Sequence, residues 1–263
     1  MTDRIKLENA YKDYTLDQDK IMSPAETVRR FRERLKKIDL DILKKTERID
    51  NGRLDIPVFF SVCGEDAAAT IGTKKQMGKG GTAHQAEASA VMELAERFSF
   101  FSFCKNPDNF ITAAYKDVKD RALPFDVIAK SVHDNSPDLE IAEKIFETLP
   151  MKWAKAYNLT QDKTVLVPFD WFFAINEFNG PSAGNCREEA ICQGICEVVE
   201  RHVSSLISQD KISVPAIRPE SALDPLVIEM LGQYRAAGIH VHRSDFTLDM
   251  GIPTVGVLAY DPK

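Results

Sequence analysis

The chain has 263 residues, of which 44% are hydrophobic and 28% charged, and its formal net charge is -6. This composition is ordinary for a globular protein, and the length allows one large domain or two smaller ones. An acidic chain without a long Lys/Arg block is a poor candidate for binding nucleic-acid phosphates. We therefore expect no nucleic-acid partner.

Membrane and secretory signals are absent from the sequence pattern. Residues 1–20 are polar and lack the apolar core of a signal peptide. No run of about 18 apolar residues follows, so we expect no membrane association. The 5 cysteines are sparse and odd in number. That count is typical of reduced thiols and predicts a cytoplasmic location.

The first predicted helix begins at Ser23, which can act as its N-cap, with Glu26 completing a capping box. Apolar residues at helical spacing follow, and we expect the helix to cover 23–47. Residues 56–64 are rich in β-branched and aromatic residues and predict a buried strand. Residues 67–73 are expected to form a strand that pairs with it.

The rest of the chain alternates between helical and extended patterns. Thr82 and Gln85 form a second capping-box pattern at the start of a long helix. The predicted elements are helices over about 83–101, 138–149, 187–208 and 224–238, and strands over 152–157, 164–173, 239–246 and 253–260. We therefore expect a mixed α/β (α+β) fold with mixed or antiparallel sheets.

Two segments of the chain repeat each other at an offset of 104 residues, as counted from Gly80 to Gly184. GGTAHQAEASAVMELAERFS and GNCREEAICQGICEVVERHVS each have a glycine loop, a helical pattern and a Glu-x-x-Glu-Arg pentad. The match predicts duplicated loop–helix units and two repeat-like halves, about 50–150 and 151–263. The low identity leaves convergence as an alternative.

Both predicted helices carry a stripe of polar side chains opposite an apolar face. The residues that share a face are Ser89, Glu93, Glu96 and Arg97 on one helix, and Asn185, Glu189, Glu197 and Glu200 on the other. For one such stripe alone, a solvated face with i,i+4 ion pairs is the simplest interpretation. Two stripes, each behind a glycine loop, favour a shared site.

Facing carboxylates repel each other and require a cation between them. A cluster of Glu oxygens suits Mg²⁺ or Mn²⁺, and Mg²⁺ commonly bridges to nucleotide phosphates. Arginines and helix N-termini behind glycine loops can contact phosphate oxygens directly. The residues therefore predict a Mg-nucleotide site, although no GxxxxGK[ST] loop is present. A di-iron carboxylate bundle, the competing interpretation, would need Glu-x-x-His pairs instead.

At these motifs the sequence resembles the YcaO family. The resemblance rests on GKGGTAHQAEASAVMELAERFS and SAGNCREEAICQGICEVVERHV, and it extends more loosely over nearly all of the chain. The stretches NGPSAGN and EAICQG are similar to a bacterial branch, the accessory factor for methylthiolation of a small-subunit ribosomal protein. The resemblance implies a single YcaO-like domain over 1–263 and a homodimer.

The resemblance also implies ATP and Mg²⁺ as cofactors and phosphorylation of a peptide backbone amide oxygen, which leads to azolines or thioamides. By residue-by-residue match, it implies nucleotide contacts from Lys20, Arg97, Ser182, Asn185, Glu189 and Arg201. It implies metal ligands at Glu93, Glu96, Glu189, Glu197 and Glu200. Lys20 and Thr27 resemble the family's N-terminal lysine and hydroxyl pair. No catalytic residue is assigned.

Family members continue into a helix that brings an Arg and a Glu to the ATP, and we expect this C-terminal region to be missing here. We expect an ATP-dependent enzyme acting on a peptide or ribosomal-protein substrate, with a partner modifying enzyme. The alternative is a non-catalytic scaffold that binds nucleotide or delivers a substrate. The substrate and the nucleophile are not specified by the sequence.

Several other residues that could bind a metal or a phosphate are expected to have structural or surface roles, or leave the choice open. Cys192 and Cys196 match no zinc or iron–sulfur spacing, and we expect them to be small buried hydrophobic residues. His240 and His242 share a predicted strand face, and we expect surface or packing roles. Lys79 is equally consistent with a phosphate contact and a solvated loop residue.

Overall fold

The computed structural model describes residues 4–13, 19–50, 52–132 and 137–262. The chain divides into two compact units, one formed by Met1–Glu8 with Phe100–Phe178 and the other by Asn9–Ser99 with Asn179–Lys263. Each unit combines two separate stretches of sequence. The units therefore do not coincide with the predicted repeat-like halves 50–150 and 151–263, and a single domain over 1–263 stays a prediction.

The larger unit begins with helix α1, Pro24–Leu35. The Glu26 N–H donates to the Ser23 hydroxyl at 3.3 Å, which confirms the predicted cap. Three antiparallel strands follow in the order β1 (Leu43–Arg48), β2 (Val58–Cys63) and β3 (Lys75–Lys79). Helix α2, Glu65–Ile71, connects β2 to β3.

The predicted first helix over 23–47 is wrong beyond Leu35. The apolar residues at helical spacing stop at Ile38, and Leu43–Arg48 pairs with β2 as a strand, in the register Thr46 to Ser61. Sheet hydrogen bonds therefore override the helical propensity of the lysines and glutamate in this stretch.

The expected strand over 67–73 is also wrong, because these residues lie mostly in α2. Asp41 stabilises the helix start by accepting the Glu65 N–H at 2.8 Å. The run of alanines favours the helix. Gly72, with φ of 84°, ends it in the left-handed conformation.

Helix α3 covers Ala83–Lys105, and its residues up to Ser99 belong to the larger unit. Its apolar side packs under the first sheet, where Leu94 joins a core cluster with Ile42, Cys63 and Ala67. Gly78 lies so close to α3 that a Cβ on it would stand 1.9 Å from the Ala90 nitrogen. Strand β3 and helix α3 therefore meet backbone to backbone.

The smaller unit holds an antiparallel sheet of β4 (Phe110–Ala114), β5 (Pro150–Asn158) and β6 (Lys163–Pro168). Its helices are α4 (Tyr115–Val118), α5 (Phe125–Ala129), α6 (Leu139–Thr148) and α7 (Phe169–Asn176). Trp153 is fully buried in its core and donates its indole N–H to the Ala113 carbonyl at 3.0 Å. The predicted strand over 164–173 ends at Pro168, which cannot donate to the ladder, and α7 takes its place.

The larger unit is completed by helix α8 (Arg187–Asp210), helix α9 (Pro225–Ala236) and an antiparallel hairpin of β7 (His240–Asp245) and β8 (Val255–Tyr260). Asp224 caps α9 by accepting the Leu226 N–H at 2.8 Å. The fold is thus mixed α/β with small antiparallel sheets, which confirms the predicted class. Across the described ranges, no helix combines the length and apolarity needed to cross a bilayer.

Candidate functional site

Helix α3 begins with a reciprocal cap. The Gln85 N–H donates to the Thr82 hydroxyl at 3.2 Å, and the Gly81 N–H donates to the Gln85 side-chain oxygen at 2.9 Å. A Cβ on Gly80 would stand 2.5 Å from the Gln85 Cβ and 2.7 Å from the Ala86 nitrogen. Glycine is therefore required where the loop passes over the first turn.

Helix α8 begins in the same way, with each residue 104 positions after its counterpart. The Glu189 N–H donates to the Cys186 sulfur at 3.4 Å, and the Asn185 N–H donates to the Glu189 carboxylate at 2.9 Å. A Cβ on Gly184 would stand 2.5 Å from the Ala190 nitrogen. The predicted loop–helix duplication is therefore a structural repeat.

Glu189 joins the N-terminal segment to the second loop–helix unit. The residue is 6% exposed, and one carboxylate oxygen accepts the Ile21 N–H at 2.6 Å while the other accepts the Asn185 N–H. The Thr27 hydroxyl donates to the Asn185 side-chain oxygen at 3.0 Å. These bonds fix the backbone directly after Lys20 against the loop that precedes α8.

A cavity of about 420 Å³ opens between the N-terminal segment, α3 and α8, within the larger unit. Its size is within the range of small-molecule pockets. The side chains that can bind charged groups are Lys20 and Lys79, the carboxylates Asp19, Glu93, Glu96 and Glu189, and the polar residues Thr27, Gln85, Ser89, Asn185 and Gln193. Lysine side chains and carboxylates thus line the same cavity.

Glu96 shows that the carboxylates of the two repeats come close together. Burial, together with the neighbouring charges of Glu93 and Glu197, raises its pKa to about 7, against the opposing effect of Arg97. The Arg97 guanidinium lies 3.0 Å from a Glu93 oxygen and 3.6 Å from a Glu96 oxygen. One arginine therefore only partly neutralises three carboxylates.

The five glutamates predicted as metal ligands do not all lie close enough together to share one metal ion. Within the ranges that the structure describes, no three Asp, Glu, His or Cys side chains form a group that could hold a metal ion. Glu197 uses one oxygen to accept the Gly180 N–H at 3.0 Å. Glu200 lies on an exposed part of α8 and does not line the cavity.

Three predicted nucleotide-binding residues also lie outside the cavity lining, namely Arg97, Ser182 and Arg201. Arg201 is 60% exposed, and its guanidinium lies 3.7 Å from Glu197. The Ser182 hydroxyl donates to the Ala190 carbonyl. The structure therefore brings Lys20, Asn185, Glu93, Glu96 and Glu189 to one cavity, places Arg97 and Glu197 beside Glu96, and leaves Ser182, Glu200 and Arg201 apart.

A family model described as "YcaO cyclodehydratase, ATP- and Mg2+-binding" matches residues 77–263. The chain belongs to the YcaO family. This confirms the resemblance drawn from the two repeated motifs, both of which fall inside the matched range.

Two sequence relatives of this YcaO chain cover different shares of it. An uncharacterised protein of Methanothermobacter thermautotrophicus is 31% identical over 252 residues, which are 90% of this chain and 60% of that protein. The ribosomal protein S12 methylthiotransferase accessory factor YcaO of Escherichia coli is 34% identical over 104 residues, 39% of this chain and 18% of the relative. The chain thus spans less than two thirds of the length of these relatives.

Solved YcaO-like structures share the fold. A heterocyclase in complex with substrate and cofactor has a TM-score of 0.73 at 21% identity. The match covers 98% of this chain and 37% of the heterocyclase chain. YcaO from Methanopyrus kandleri, bound with AMPPCP and Mg2+, has a TM-score of 0.56 at 22% identity. The match covers 91% of this chain and 62% of the Methanopyrus chain. At these identities the likeness shows the architecture alone.

Sequence reasoning missed some residues of this YcaO cavity. Gln85 was expected only as a capping residue, yet it also lines the cavity. Gln193 also lines the cavity, and it lies four residues after Glu189 and hence on the same helix face. The signal that could have found it is the same stripe that identified the glutamates.

The expectation that Cys192 and Cys196 are buried is wrong, because both are exposed on α8. The buried face of that helix carries Gly194, Val199 and Val203 instead. Sulfur is apolar enough to be tolerated at either position, so the residue type alone did not specify the face.

Proposed function

We propose that this chain binds ATP with Mg²⁺ in the cavity between the N-terminal segment, α3 and α8. In this proposal it supports the phosphorylation of a peptide backbone amide, which leads to thio-modification or cyclodehydration of a peptide or protein substrate. The observation that carries the proposal is the meeting of Lys20 with Glu93, Glu96 and Glu189 around one space of nucleotide-compatible size.

The carboxylates supply the metal side of the proposed site. Glu93 and Glu96 on α3 and Glu197 on α8 carry like charges whose mutual repulsion is relieved by a divalent cation. Carboxylate oxygens are ligands that Mg²⁺ prefers, and Mg²⁺ keeps waters and phosphate oxygens as its remaining ligands. A complete three-carboxylate cage is therefore unnecessary, and two or three Glu oxygens suffice.

The phosphate side of the proposed site is cationic. Lys20 and Lys79 line the same cavity as the glutamates. The loops at Gly80 and Gly184 lead into the N-termini of α3 and α8, where the helix dipoles favour negative charge. These groups would hold the triphosphate, while Asn185 and Gln193 offer hydrogen bonds to the rest of the nucleotide.

We assign Glu189 first to positioning, because both of its oxygens accept backbone N–H groups. It fixes the backbone next to Lys20, and each oxygen keeps a further lone pair for the metal role predicted from the resemblance. The nucleotide or metal roles of Ser182, Glu200 and Arg201 rest on the family resemblance alone.

Bound ATP would supply the phosphoryl group that converts the amide oxygen into a leaving group. The names of two similar proteins support a reaction of this kind, since one is a heterocyclase in complex with substrate and cofactor and another is bound with AMPPCP and Mg2+. The name of the Escherichia coli relative supports a ribosomal protein as one substrate class and a methylthiotransferase as one partner. We also propose a homodimer in the cytoplasm.

The experiment that tests the proposal is calorimetric titration of Mg-ATP into the native chain and two variants, Lys20→Gln and Glu96→Gln. Each variant is expected to weaken binding by about tenfold or more, since each removes a charge-assisted contact. Lys36→Gln and Glu140→Gln, which change exposed residues outside the cavity, serve as matched controls. Unchanged affinity in both test variants would refute the site.

The second candidate function is a non-catalytic scaffold. It is favoured by the exposed position of Arg201 and by the separation of Glu200 from the cavity. The two functions differ in turnover: the enzyme releases ADP when a peptide substrate and its nucleophile are supplied, whereas the scaffold binds Mg-ATP and releases none.

A further inference from the structure

A second cavity, of about 240 Å³, lies at the turn from α9 into β7. It shares no lining residue with the first cavity. Three basic side chains line it, namely Arg235, His240 and Arg243, and none of its described lining residues is acidic. Although the chain has a net charge of -6, the two residues with a permanent charge in this lining, Arg235 and Arg243, are both cationic.

The turn that builds this cavity is fixed by backbone hydrogen bonds. Gly238 adopts a left-handed φ of 76°. The Gly238 N–H donates to the Arg235 carbonyl at 3.0 Å, and the Ile239 N–H donates to the Tyr234 carbonyl at 2.9 Å. These bonds satisfy carbonyls of the last turn of α9. The chain therefore enters β7 at once, which places Arg235 beside His240.

Arg243 is held in place from within the strand. Its Nε donates to the Ile217 carbonyl at 3.3 Å, and one terminal nitrogen donates to the Val241 carbonyl at 2.9 Å. Neither Arg243 nor Arg235 has a carboxylate partner among the residues that the structure describes. By contrast, Arg29 and Arg48 each form ion pairs with two carboxylates. Arg243 is half-buried and Arg235 is exposed. A half-buried guanidinium without a counter-charge, such as that of Arg243, is expected to attract one.

We propose that this cavity binds the anionic group, a carboxylate or a phosphate, of a small ligand that also has an apolar portion. A guanidinium matches both kinds of oxyanion in shape and hydrogen bonding. The two guanidinium charges exceed the roughly half negative charge at the C-terminus of α9. Tyr234, Leu231 and Ile239 provide apolar contacts. The volume is below the roughly 300 Å³ of typical ligand pockets, so it suits one head group rather than a whole nucleotide.

The test is an NMR titration of the full chain with three probes, inorganic phosphate, benzoate and chloride, at matched ionic strength. Phosphate, benzoate or both are expected to produce saturable shifts of the Gly238 and Val241 amides, and chloride none. If only phosphate gives saturable shifts, the natural ligand carries a phosphate group. If only benzoate does, the ligand carries a carboxylate. Because the readout is local to the turn, phosphate that enters the first cavity does not interfere.

Three variants decide whether the arginines are responsible. Arg235→Gln is expected to weaken binding by about tenfold, since one charge-assisted contact is lost. Arg243→Gln should do the same, and Arg243→Lys, which keeps the charge but not the fork, guards against loss of folding. Arg34→Gln, a change at an exposed residue of α1, is the matched control.

The proposal is overturned if neither phosphate nor benzoate produces saturable shifts at the turn. It is equally overturned if chloride causes the same shifts, or if a folded Arg235→Gln variant binds as tightly as the native chain. None of these outcomes bears on Mg-ATP binding in the first cavity, so the two proposals fail separately.

Discussion

Gln85 and Glu189 occupy equivalent positions of the two repeats and make the same hydrogen bond. Each accepts, through its side chain, the N–H of the residue four positions earlier, at 2.9 Å in both cases. Glu189 has a second carboxylate oxygen where Gln85 has an amide nitrogen, and that oxygen accepts the Ile21 N–H. The second repeat can therefore hold the N-terminal segment, whereas the first closes only its own loop.

The first prediction follows from this difference. Glu189→Gln should lower the free energy of unfolding by about 1–3 kcal/mol, because an amide nitrogen cannot accept either N–H and one buried donor loses its partner. The same change should weaken Mg-ATP binding, since the backbone beside Lys20 is no longer fixed. Urea denaturation and calorimetry measure the two effects.

Gln85→Ala is the control for the first prediction. It removes the matching cap of α3 and should cost about 1 kcal/mol of stability, a usual value for the loss of a helix cap. It leaves the Ile21 contact intact. If Glu189→Gln proved no more harmful to nucleotide binding than Gln85→Ala, the positioning role of Glu189 would be wrong.

The second prediction concerns the stability of the metal-free chain as a function of pH. The pKa of Glu96 is raised from 4.5 to about 7, so between these values the folded chain binds more protons than the unfolded chain. Stability from this group is therefore present at the lower end of the interval and is lost as the pH rises through about 7. Urea denaturation across the interval should show the decline, and Glu96→Gln should flatten it.

The third prediction applies the same carboxyl to metal binding. Mg²⁺ requires the ionised form, so it must displace the proton that Glu96 holds below about pH 7. Mg-ATP affinity should rise with pH towards that value and level off above it. Calorimetry in buffers of different ionisation enthalpy should detect the released proton. A pH-independent affinity without proton release would exclude Glu96 from the metal site.

Much of the larger unit's site could be predicted from the sequence, because the signals were local and repeated. The caps at Thr82 and Gln85, the glycines before each helix and the two Glu-x-x-Glu-Arg pentads specify short-range geometry. The 104-residue offset then related two distant segments. The positions of Glu93, Glu96 and Glu189 around one cavity follow from that repeat.

The remaining features depended on tertiary contacts that local patterns do not contain. Leu43–Arg48 has helix-forming residues but pairs with β2, and the sheet decides its conformation. Glu200 and Arg201 share the pentad pattern with Glu96 and Arg97, yet Glu96 lies against the other repeat and Glu200 and Arg201 are exposed. Helix periodicity places residues on a face and does not say what that face contacts.

The last prediction tests the close packing of β3 against α3. Gly78→Ala should destabilise the chain by roughly 1–3 kcal/mol or more, because its Cβ would stand 1.9 Å from the Ala90 nitrogen, and backbone cannot move aside cheaply. Gly232→Ala is the matched control, since a Cβ there meets nothing within 4 Å and the residue lies inside α9. That change should stabilise the chain by about 0.5–1 kcal/mol through the higher helix propensity of alanine. Urea denaturation of both variants gives the comparison, and equal or opposite shifts would mean that β3 and α3 lie further apart than the structure places them.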